Sequence, residues 1–291
     1  MEDYYSNNIR SWKGSLAMPI DFAARETTGT IGMHFNANFI YSITNILDYI
    51  KENSKNYPKY QSNIWDCEDF AFLAAADIRC RFPGQPTAIA LGTAIDRESG
   101  NSVDYAVNVI WFNRKEGGQT KCETRFIDLT EKIFMYTFDT RILIPLPISG
   151  LSDHKELPPF ENFRLIESAA FQLDRREYKF NLINTEVMNT LKDAPSKCPE
   201  QSEIGWSDFN RRFWTISDRV FYAFTHIRKK HQGAPVGVAF GIAALPGMAQ
   251  GFDYTALIIW NNPYNYFYWD VNEARNLEEL NIKFKPRIVI V

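Results

Sequence analysis

Alternating apolar and polar positions divide the chain into helix-like and strand-like segments. A helical period predicts helices over 38–52, 66–81 and 184–192. After the second helix come short β-branched and aromatic runs, which predict strands over 87–94, 104–112, 125–129 and 141–145. The turn Lys115-Glu116-Gly117-Gly118 between the second and third runs predicts an antiparallel hairpin. Helices followed by an antiparallel sheet indicate the α+β fold class.

The predicted helix over 66–81 has recognisable start and stop signals. Asp66 stands at the N-cap position, and Pro83-Gly84 ends the helix. Between them Phe70, Leu73, Ala74 and Ile78 recur at helical spacing. The pattern therefore predicts one apolar stripe facing a core.

The chain contains an internal duplication. Residues 84–111 align without gaps on residues 233–260 and are identical at nine of the 28 positions. Shorter matches lie on both sides and keep their order: Asp69-Phe70 with Asp208-Phe209, Phe126-Ile127-Asp128 with Tyr268-Trp269-Asp270, and Arg141-Ile142-Leu143-Ile144 with Arg287-Ile288-Val289-Ile290. A fixed order of matches indicates repetition rather than chance. We therefore predict two tandem copies of one unit, over 1–150 and 151–291.

The amino-acid composition limits the classes to which this protein can belong. The 291 residues are 45% hydrophobic and 15% aromatic, which is enough to bury a core. The net charge is −3 without a long run of one sign, so we expect neither nucleic acid nor an anionic membrane as partner. The start of the chain lacks a secretory pattern, and Pro246 breaks the most apolar run, 236–252. These features predict a soluble protein.

Cysteine and histidine usage predicts neither a disulfide scaffold nor a metal site. The four cysteines have no CxxC spacing, and a reducing, cytoplasmic compartment is the expectation. Of the four histidines only His226 and His231 are close in sequence, and we interpret them as a solvated helix end. The neighbouring run Arg228-Lys229-Lys230 is interpreted as a solvated face. We predict no cofactor.

Cys67 is the candidate nucleophile. It lies in the first turn of the helix over 66–81, where exposed backbone N–H groups favour a thiolate and can stabilise an oxyanion. Three carboxylates surround it in sequence, those of Asp66, Glu68 and Asp69. If these carboxylates face the sulfur, they raise the pKa of the thiol and oppose catalysis.

The run Cys67-Glu68-Asp69-Phe70-Ala71, with later strands carrying Tyr105-Ala106-Val107-Asn108 and ending in Asp128, resembles papain-like and transglutaminase-like cysteine enzymes. Bacterial transglutaminase-like cysteine peptidases and the protease-type domain of certain fungal agglutinins are the nearest resemblances. They imply Cys67 as nucleophile, Asp128 as the acid that orients the base, and Gln61 as a donor of an oxyanion-hole amide. The fold implied is two tandem papain/transglutaminase-like units, each with helices packed on an antiparallel sheet.

The general base departs from this pattern. Tyr105 occupies the position of the histidine, and a phenol is a poor base at neutral pH. Asp104 and His34 are candidate substitutes, although Asp104 faces the opposite side of its strand. In the second unit Tyr254 again replaces the histidine, and the alignment places Trp206 at the position of Cys67.

The leading hypothesis is a pseudoenzyme with this fold that binds a peptide or protein partner. The alternative is an active cysteine hydrolase or acyltransferase that uses Cys67 and a non-standard base. An imidazole or a free carboxylate within about 4 Å of the sulfur would favour this alternative. A carbohydrate-binding protein is a third hypothesis, because of the aromatic run from Tyr264 to Trp269. The same run is also typical of a packed sheet face.

Overall fold

A computed structural model describes residues 10–13, 41–62, 64–82, 85, 87–130, 138–146, 185–197, 216–249, 251–262 and 265–290. Contacts divide these residues into two compact units. The first contains 10–13, 41–60 and 66–146, and the second contains 61–65, 185–197 and 216–290. Each unit has helices and one antiparallel sheet, which confirms the α+β class.

The described residues of the first unit form two α-helices and five strands. Helix α1 (Ile43–Asn53) begins after Ser42, whose hydroxyl accepts from the Asn45 N–H at 3.2 Å, and a 3₁₀ turn follows it. Helix α2 (Cys67–Arg81) begins one residue after its predicted start. The sheet order is β1-β4-β3-β2-β5, with β1 (Arg10–Lys13), β2 (Thr87–Ile95), β3 (Ser102–Glu116), β4 (Gln119–Asp128) and β5 (Asp139–Leu146).

The second unit repeats this plan. Helices α3 (Thr185–Lys197) and α4 (Ile216–Lys230) precede a sheet of order β10-β6-β7-β8-β9. Its strands are β6 (Val236–Ala244), β7 (Phe252–Asn262), β8 (Asn265–Asp270), β9 (Arg275–Asn276) and β10 (Lys283–Ile290). The order β5-β2-β3-β4 in the first sheet therefore corresponds to β10-β6-β7-β8 in the second.

Strand registers support the alignment from Gly84 to Trp111. Tyr105 pairs with Gly92, and their counterparts Tyr254 and Gly241, each 149 positions later, also pair. The fully buried Arg79 of α2 and Arg228 of α4 have the same offset. The position of Cys67 is therefore taken by Ile216, and not by Trp206 as the sequence matches suggested. Trp206 itself lies outside the described residues.

Helix α2 differs from the predicted amphipathic helix. Its buried residues include the expected Phe70, Leu73, Ala74 and Ile78 but also polar side chains on other faces, such as Asp69 and Arg79. The four residues of the predicted stripe are buried as expected, but burial extends beyond that one stripe. A helix buried on all sides shows little periodicity, because its charged residues are also buried and need internal partners.

Both units bury an arginine at the same helical position. Arg79 and Arg228 are each 0% exposed. Arg79 Nη1 donates to the Gln85 carbonyl at 3.1 Å, and Arg228 Nη1 donates to the Ala234 carbonyl at 2.8 Å. In both cases the acceptor lies six residues after the arginine and just before the strand that follows the helix, β2 or β6. The interpretation of Arg228 as part of a solvated face is therefore wrong, because this side chain joins helix to sheet inside the unit.

In each unit the strand that follows the second helix passes very close to the backbone of a neighbouring strand, and the close approach is at a glycine. In the β2–β5 pair the register shifts at Gly92, and in the β6–β10 pair it shifts opposite Gly241. These shifts leave Arg141 and Arg287 without a register partner, so the predicted correspondence of the two arginines is confirmed. The glycines are required for the close approach, since a Cβ at either would collide with the neighbouring backbone.

Among the described helices, none is both long enough and apolar enough to cross a bilayer.

Candidate active-site region

The candidate site begins at the first turn of α2. The Asp66 N–H donates to Asp69 Oδ2 at 3.2 Å, which is one half of a capping box. The two acidic side chains thus satisfy backbone groups that a helix start leaves without helical partners. This cap fixes the orientation of the turn that carries Cys67.

The thiol of Cys67 is buried and acts as a hydrogen-bond donor. The side chain is 6% exposed, and Sγ donates to Glu68 Oε2 at 2.9 Å. Burial raises the pKa of the thiol well above its ordinary value, and the negative charges of Glu68 and Asp66 raise it further. A hydrogen bond from the Ala106 backbone acts in the opposite direction and is outweighed. The predicted opposition by neighbouring carboxylates is confirmed, and the thiol is protonated at neutral pH.

Tyr105 and Asp128 form a buried pair beside this thiol. Tyr105 is 3% exposed, and its hydroxyl donates to Asp128 Oδ1 at 3.2 Å. The same oxygen accepts from the backbone and the hydroxyl of Thr130, each at 2.9 Å. Burial is the first cause that raises the pKa of Tyr105, followed by the charges of Asp128 and Cys67. Tyr105 therefore keeps its proton, and a protonated phenol cannot accept one from the thiol.

The second unit has an equivalent of this pair, with isoleucine instead of cysteine at the position of Cys67. The Tyr254 hydroxyl donates to the Asp270 carboxylate, and burial followed by that hydrogen bond raises the pKa of the phenol. Ile216 stands at the nucleophile position. The Tyr–Asp pair joins adjacent strands in each unit, β3 to β4 and β7 to β8, and the second unit has it although isoleucine stands at the position of the cysteine.

Gln61 is placed in a turn. Its N–H donates to the Trp65 carbonyl at 2.8 Å, and the Trp65 N–H donates back to the Gln61 carbonyl at 2.9 Å. Residues 61–65 belong to the second compact unit, and Gln61 is exposed. Its described bonds are those of a turn residue, and its role in an oxyanion hole stays a prediction.

None of the described residues that the sequence suggested as substitutes for the missing general base is shown in contact with the Cys67 thiol. Asp104 is exposed, and His34 lies outside the described residues. In the second unit His226 stacks on Tyr222 with ring centroids 6.2 Å apart, and His231 Nε2 lies 3.1 Å from Thr190 Oγ1. Each described imidazole therefore has its own local partner.

One group of side chains has the composition of a metal site. Ligand-type atoms of Asp66, Cys67 and Glu68 all lie within 4.8 Å of one another. Each side chain already has a role, because Asp66 takes part in the helix cap and the Cys67 thiol donates to Glu68. The cap and the hydrogen bond explain the proximity, so we assign no metal to this group.

The aromatic run near the end of the chain is divided between a core and a surface. Trp269 is 5% exposed, whereas Tyr266 is 50% exposed. Tyr266 contacts Tyr268 at 5.5 Å between ring centroids, and Tyr268 contacts Phe284 at 4.8 Å. The rings therefore pack on one another across a sheet face, as this pattern predicts. The carbohydrate-binding hypothesis stays a prediction.

No family model, curated protein or solved structure matches this chain. The resemblance to papain-like and transglutaminase-like enzymes accordingly depends on the residues of the chain itself.

Replacing Glu68 with glutamine is expected to lower the pKa of Cys67. The substitution removes a negative charge next to the sulfur but leaves its burial unchanged, so we expect the pKa to fall while staying above the ordinary value of a thiol. The measurement is a titration of thiolate absorbance in a variant whose other three cysteines are serine. Glu52→Gln, on an exposed part of α1, is the control. An unchanged or higher pKa would contradict the assigned effect of Glu68.

Proposed function

We propose that this chain is a catalytically degenerate protein of the papain/transglutaminase-like kind that binds a peptide or protein partner. The observation that carries the proposal is the state of Cys67. Its thiol is buried, protonated and hydrogen-bonded to Glu68, with a pKa raised by its surroundings. An active cysteine enzyme needs the opposite environment, in which the thiolate is favoured and a base accepts the proton.

The surroundings of the histidine position also support loss of catalysis. A positioned general base contributes about 10²- to 10⁴-fold to rate. Tyr105 stands at that position and donates a hydrogen bond to Asp128. Asp128 is thus engaged by a phenol, so it has no imidazole to orient there. The second unit departs further from a catalytic triad, since it has the same kind of pair and also has Ile216 at the position of the nucleophile.

Retention of the architecture supports a binding role. Both units have a helix with a buried arginine before the sheet, and both have the Tyr–Asp pair. Neither has a complete catalytic triad in the described residues. Antiparallel sheets with outer strands offer main-chain groups to an extended peptide, which is a common mode of peptide recognition. A peptide or protein partner is therefore the ligand class that we propose.

The test is the reactivity of Cys67 relative to Cys80. Cys67 is buried and Cys80 is exposed. We expect iodoacetamide to modify Cys67 on the order of 100-fold more slowly than Cys80 near pH 7.5, because reaction requires local opening of about 3 kcal/mol. Because the pKa of Cys67 is raised, its rate should continue to increase with pH above the ordinary thiol range instead of levelling off there.

Peptide mass spectrometry after timed quenching gives the two rates within one sample, so Cys80 is an internal control. Both thiols should react at similar rates in urea. Selective, fast labelling of Cys67 that is lost on denaturation would refute the pseudoenzyme proposal.

A second candidate function is an active cysteine hydrolase or acyltransferase with Glu68 as the base. The observation in its favour is the distance of 2.9 Å between Glu68 Oε2 and Cys67 Sγ. The two functions predict opposite signs for Glu68→Gln. If Glu68 accepts the proton during catalysis, the variant alkylates more slowly, whereas if Glu68 only suppresses the thiolate, the variant alkylates faster.

A further inference from the structure

A short segment just before α2 belongs to the second unit. Gln61–Trp65 precede α2 directly in sequence, yet their contacts group them with α3, α4 and the second sheet. The segment closes on itself, because the Gln61 N–H donates to the Trp65 carbonyl at 2.8 Å. In return the Gln61 carbonyl accepts from the N–H groups of Ile64 and Trp65 at 3.1 and 2.9 Å. We call Gln61–Trp65 the strap.

Arg228 of α4 anchors the strap. Its Nη2 donates to the Ile64 carbonyl at 3.0 Å, while Nη1 donates to the Ala234 carbonyl at 2.8 Å. The guanidinium is buried, and its planar fork directs separate N–H groups at the two acceptors. Trp65, the last residue of the strap, is 0% exposed. A hydrogen bond from a charged, buried donor therefore attaches the strap to α4.

The strap is covalently continuous with the helix that carries Cys67. Trp65 is followed at once by Asp66, the N-cap residue of α2, and then by Cys67 itself. The capping box of Asp66 and Asp69 holds the first turn of the helix. The backbone that enters this turn is thus fixed by the strap on one side and by the helix on the other. Any opening of the first turn has to displace the strap or break the cap.

Burial keeps the thiol in this turn unreactive. Cys67 is 6% exposed, and burial is the first cause that raises its pKa. Opening of the first turn would admit a reagent and would return the pKa of the thiol toward its ordinary value. The contact that holds the strap can therefore set how often the thiol becomes exposed.

We propose that the strap is a conformational device: the hydrogen bond from Arg228 to the Ile64 carbonyl keeps the first turn of α2 closed, and loss of this bond exposes the Cys67 thiol. Arg228 is a positioning residue, since it acts on the thiol through the strap. The inference uses the burial of Cys67 and holds whether or not the chain has lost catalysis.

The test is alkylation of Cys67 relative to Cys80 in full-length variants near pH 7.5. Arg228→Met removes the donor to the strap, and Lys229→Met, at the exposed neighbouring position of α4, is the matched control. We expect Arg228→Met to raise the Cys67 rate at least about tenfold, because hydrogen bonds from charged donors contribute more than neutral ones. Lys229→Met should leave the rate unchanged.

Hydrogen exchange locates the change. In Arg228→Met the hydrogen-bonded amides of Trp65 and Phe70, in the strap and the first turn of α2, should lose protection, whereas the amides of α1 should keep theirs. If Arg228 only joins α4 to β6, protection falls in the second unit alone and Phe70 stays protected. Gly241→Ala, which destabilises the second unit at β6 but leaves Arg228 in place, should show this second pattern.

The remaining outcomes separate the strap from the proposed function. An unchanged Cys67 rate in Arg228→Met refutes the strap, while a slow wild-type rate still supports the proposed function. Equal acceleration in Arg228→Met and Gly241→Ala would mean that exposure follows unfolding of the whole second unit, which also refutes the strap. If circular dichroism shows that Arg228→Met is not folded, Arg228→Lys replaces it, because lysine keeps the charge but lacks the fork that reaches both carbonyls.

Discussion

Replacing Gly92 with alanine is expected to destabilise the first unit by about 3 kcal/mol. The added Cβ would lie 2.0 Å from the carbonyl oxygen of Asp139 and 3.0 Å from the ring of Phe138. The closer of these contacts is with backbone, which cannot move away by changing a rotamer. Strands β2 and β5 would have to separate at the point where their register shifts.

Gly241→Ala should have a similar effect in the second unit. Its Cβ would lie 2.1 Å from the Lys285 carbonyl oxygen. Urea unfolding followed by circular dichroism measures both changes. Gly100→Ala is the control, since Gly100 has a φ of 70° with open space around it and should lose only about 1 kcal/mol. Equal losses at Gly92 and Gly100 would show that backbone conformation, rather than close approach, explains the glycine.

The second large effect is expected at the buried arginines. Arg228→Met removes the donors to the Ala234 carbonyl at 2.8 Å and the Ile64 carbonyl at 3.0 Å, both within the second unit. Methionine fills similar space but leaves those carbonyls without this partner. Because hydrogen bonds from charged donors contribute more than neutral ones, we expect a loss of about 3 kcal/mol in the free energy of unfolding.

Arg79→Met tests the same arrangement in the first unit, where Nη1 donates to the Gln85 carbonyl. Lys229→Met is the matched control, because Lys229 is the exposed neighbour of Arg228 and its replacement should change stability by less than about 0.5 kcal/mol. If Arg228→Met and Lys229→Met are equally mild in urea unfolding, the buried arginine does not stabilise the helix–sheet junction.

The sheets were largely predictable from sequence. The runs from Thr87 to Ala94 and from Arg141 to Pro145 differ by at most two residues at either end from β2 and β5. The hairpin between β3 and β4 was also predicted, because Gly117-Gly118 is a strong hairpin signal. The extra length of β3 and β4 was not predicted, since the polar residues over 113–121 lack the alternation that marks a half-buried strand.

The helices were less predictable, for a physical reason. Periodicity detects a helix with one buried face, whereas α2 is buried on nearly all sides, including Glu68, Asp69 and Arg79. Likewise Arg228 belongs to a basic run typical of solvent, and only the structure shows it within the unit. The position equivalent to Cys67 was misassigned because Asp208-Phe209 resembles Asp69-Phe70, while the true counterpart of Phe70 is Arg219.

The chemistry of the site was predictable in sign but not in detail. Sequence placed Cys67 at a helix start among carboxylates, and those charges do raise its pKa. A helix start lowers the pKa of a thiol, but burial raises the pKa of Cys67 by more. Burial depends on the tertiary fold. That Glu68 specifically accepts the hydrogen bond of the thiol could not be inferred from spacing, since adjacent helical residues do not ordinarily face each other.

The buried arginines also limit where this protein can change length. Arg79 and Arg228 each donate a hydrogen bond to a carbonyl six residues later in the chain. The connection between the helix and the following strand therefore acts as a spacer of fixed length. An inserted residue there would carry the acceptor away from its donor, although connections of this kind usually tolerate insertion. The hairpin tips have no such constraint. The two units differ in length at a hairpin but share this spacer, so we expect natural variation in length to accumulate at the tips.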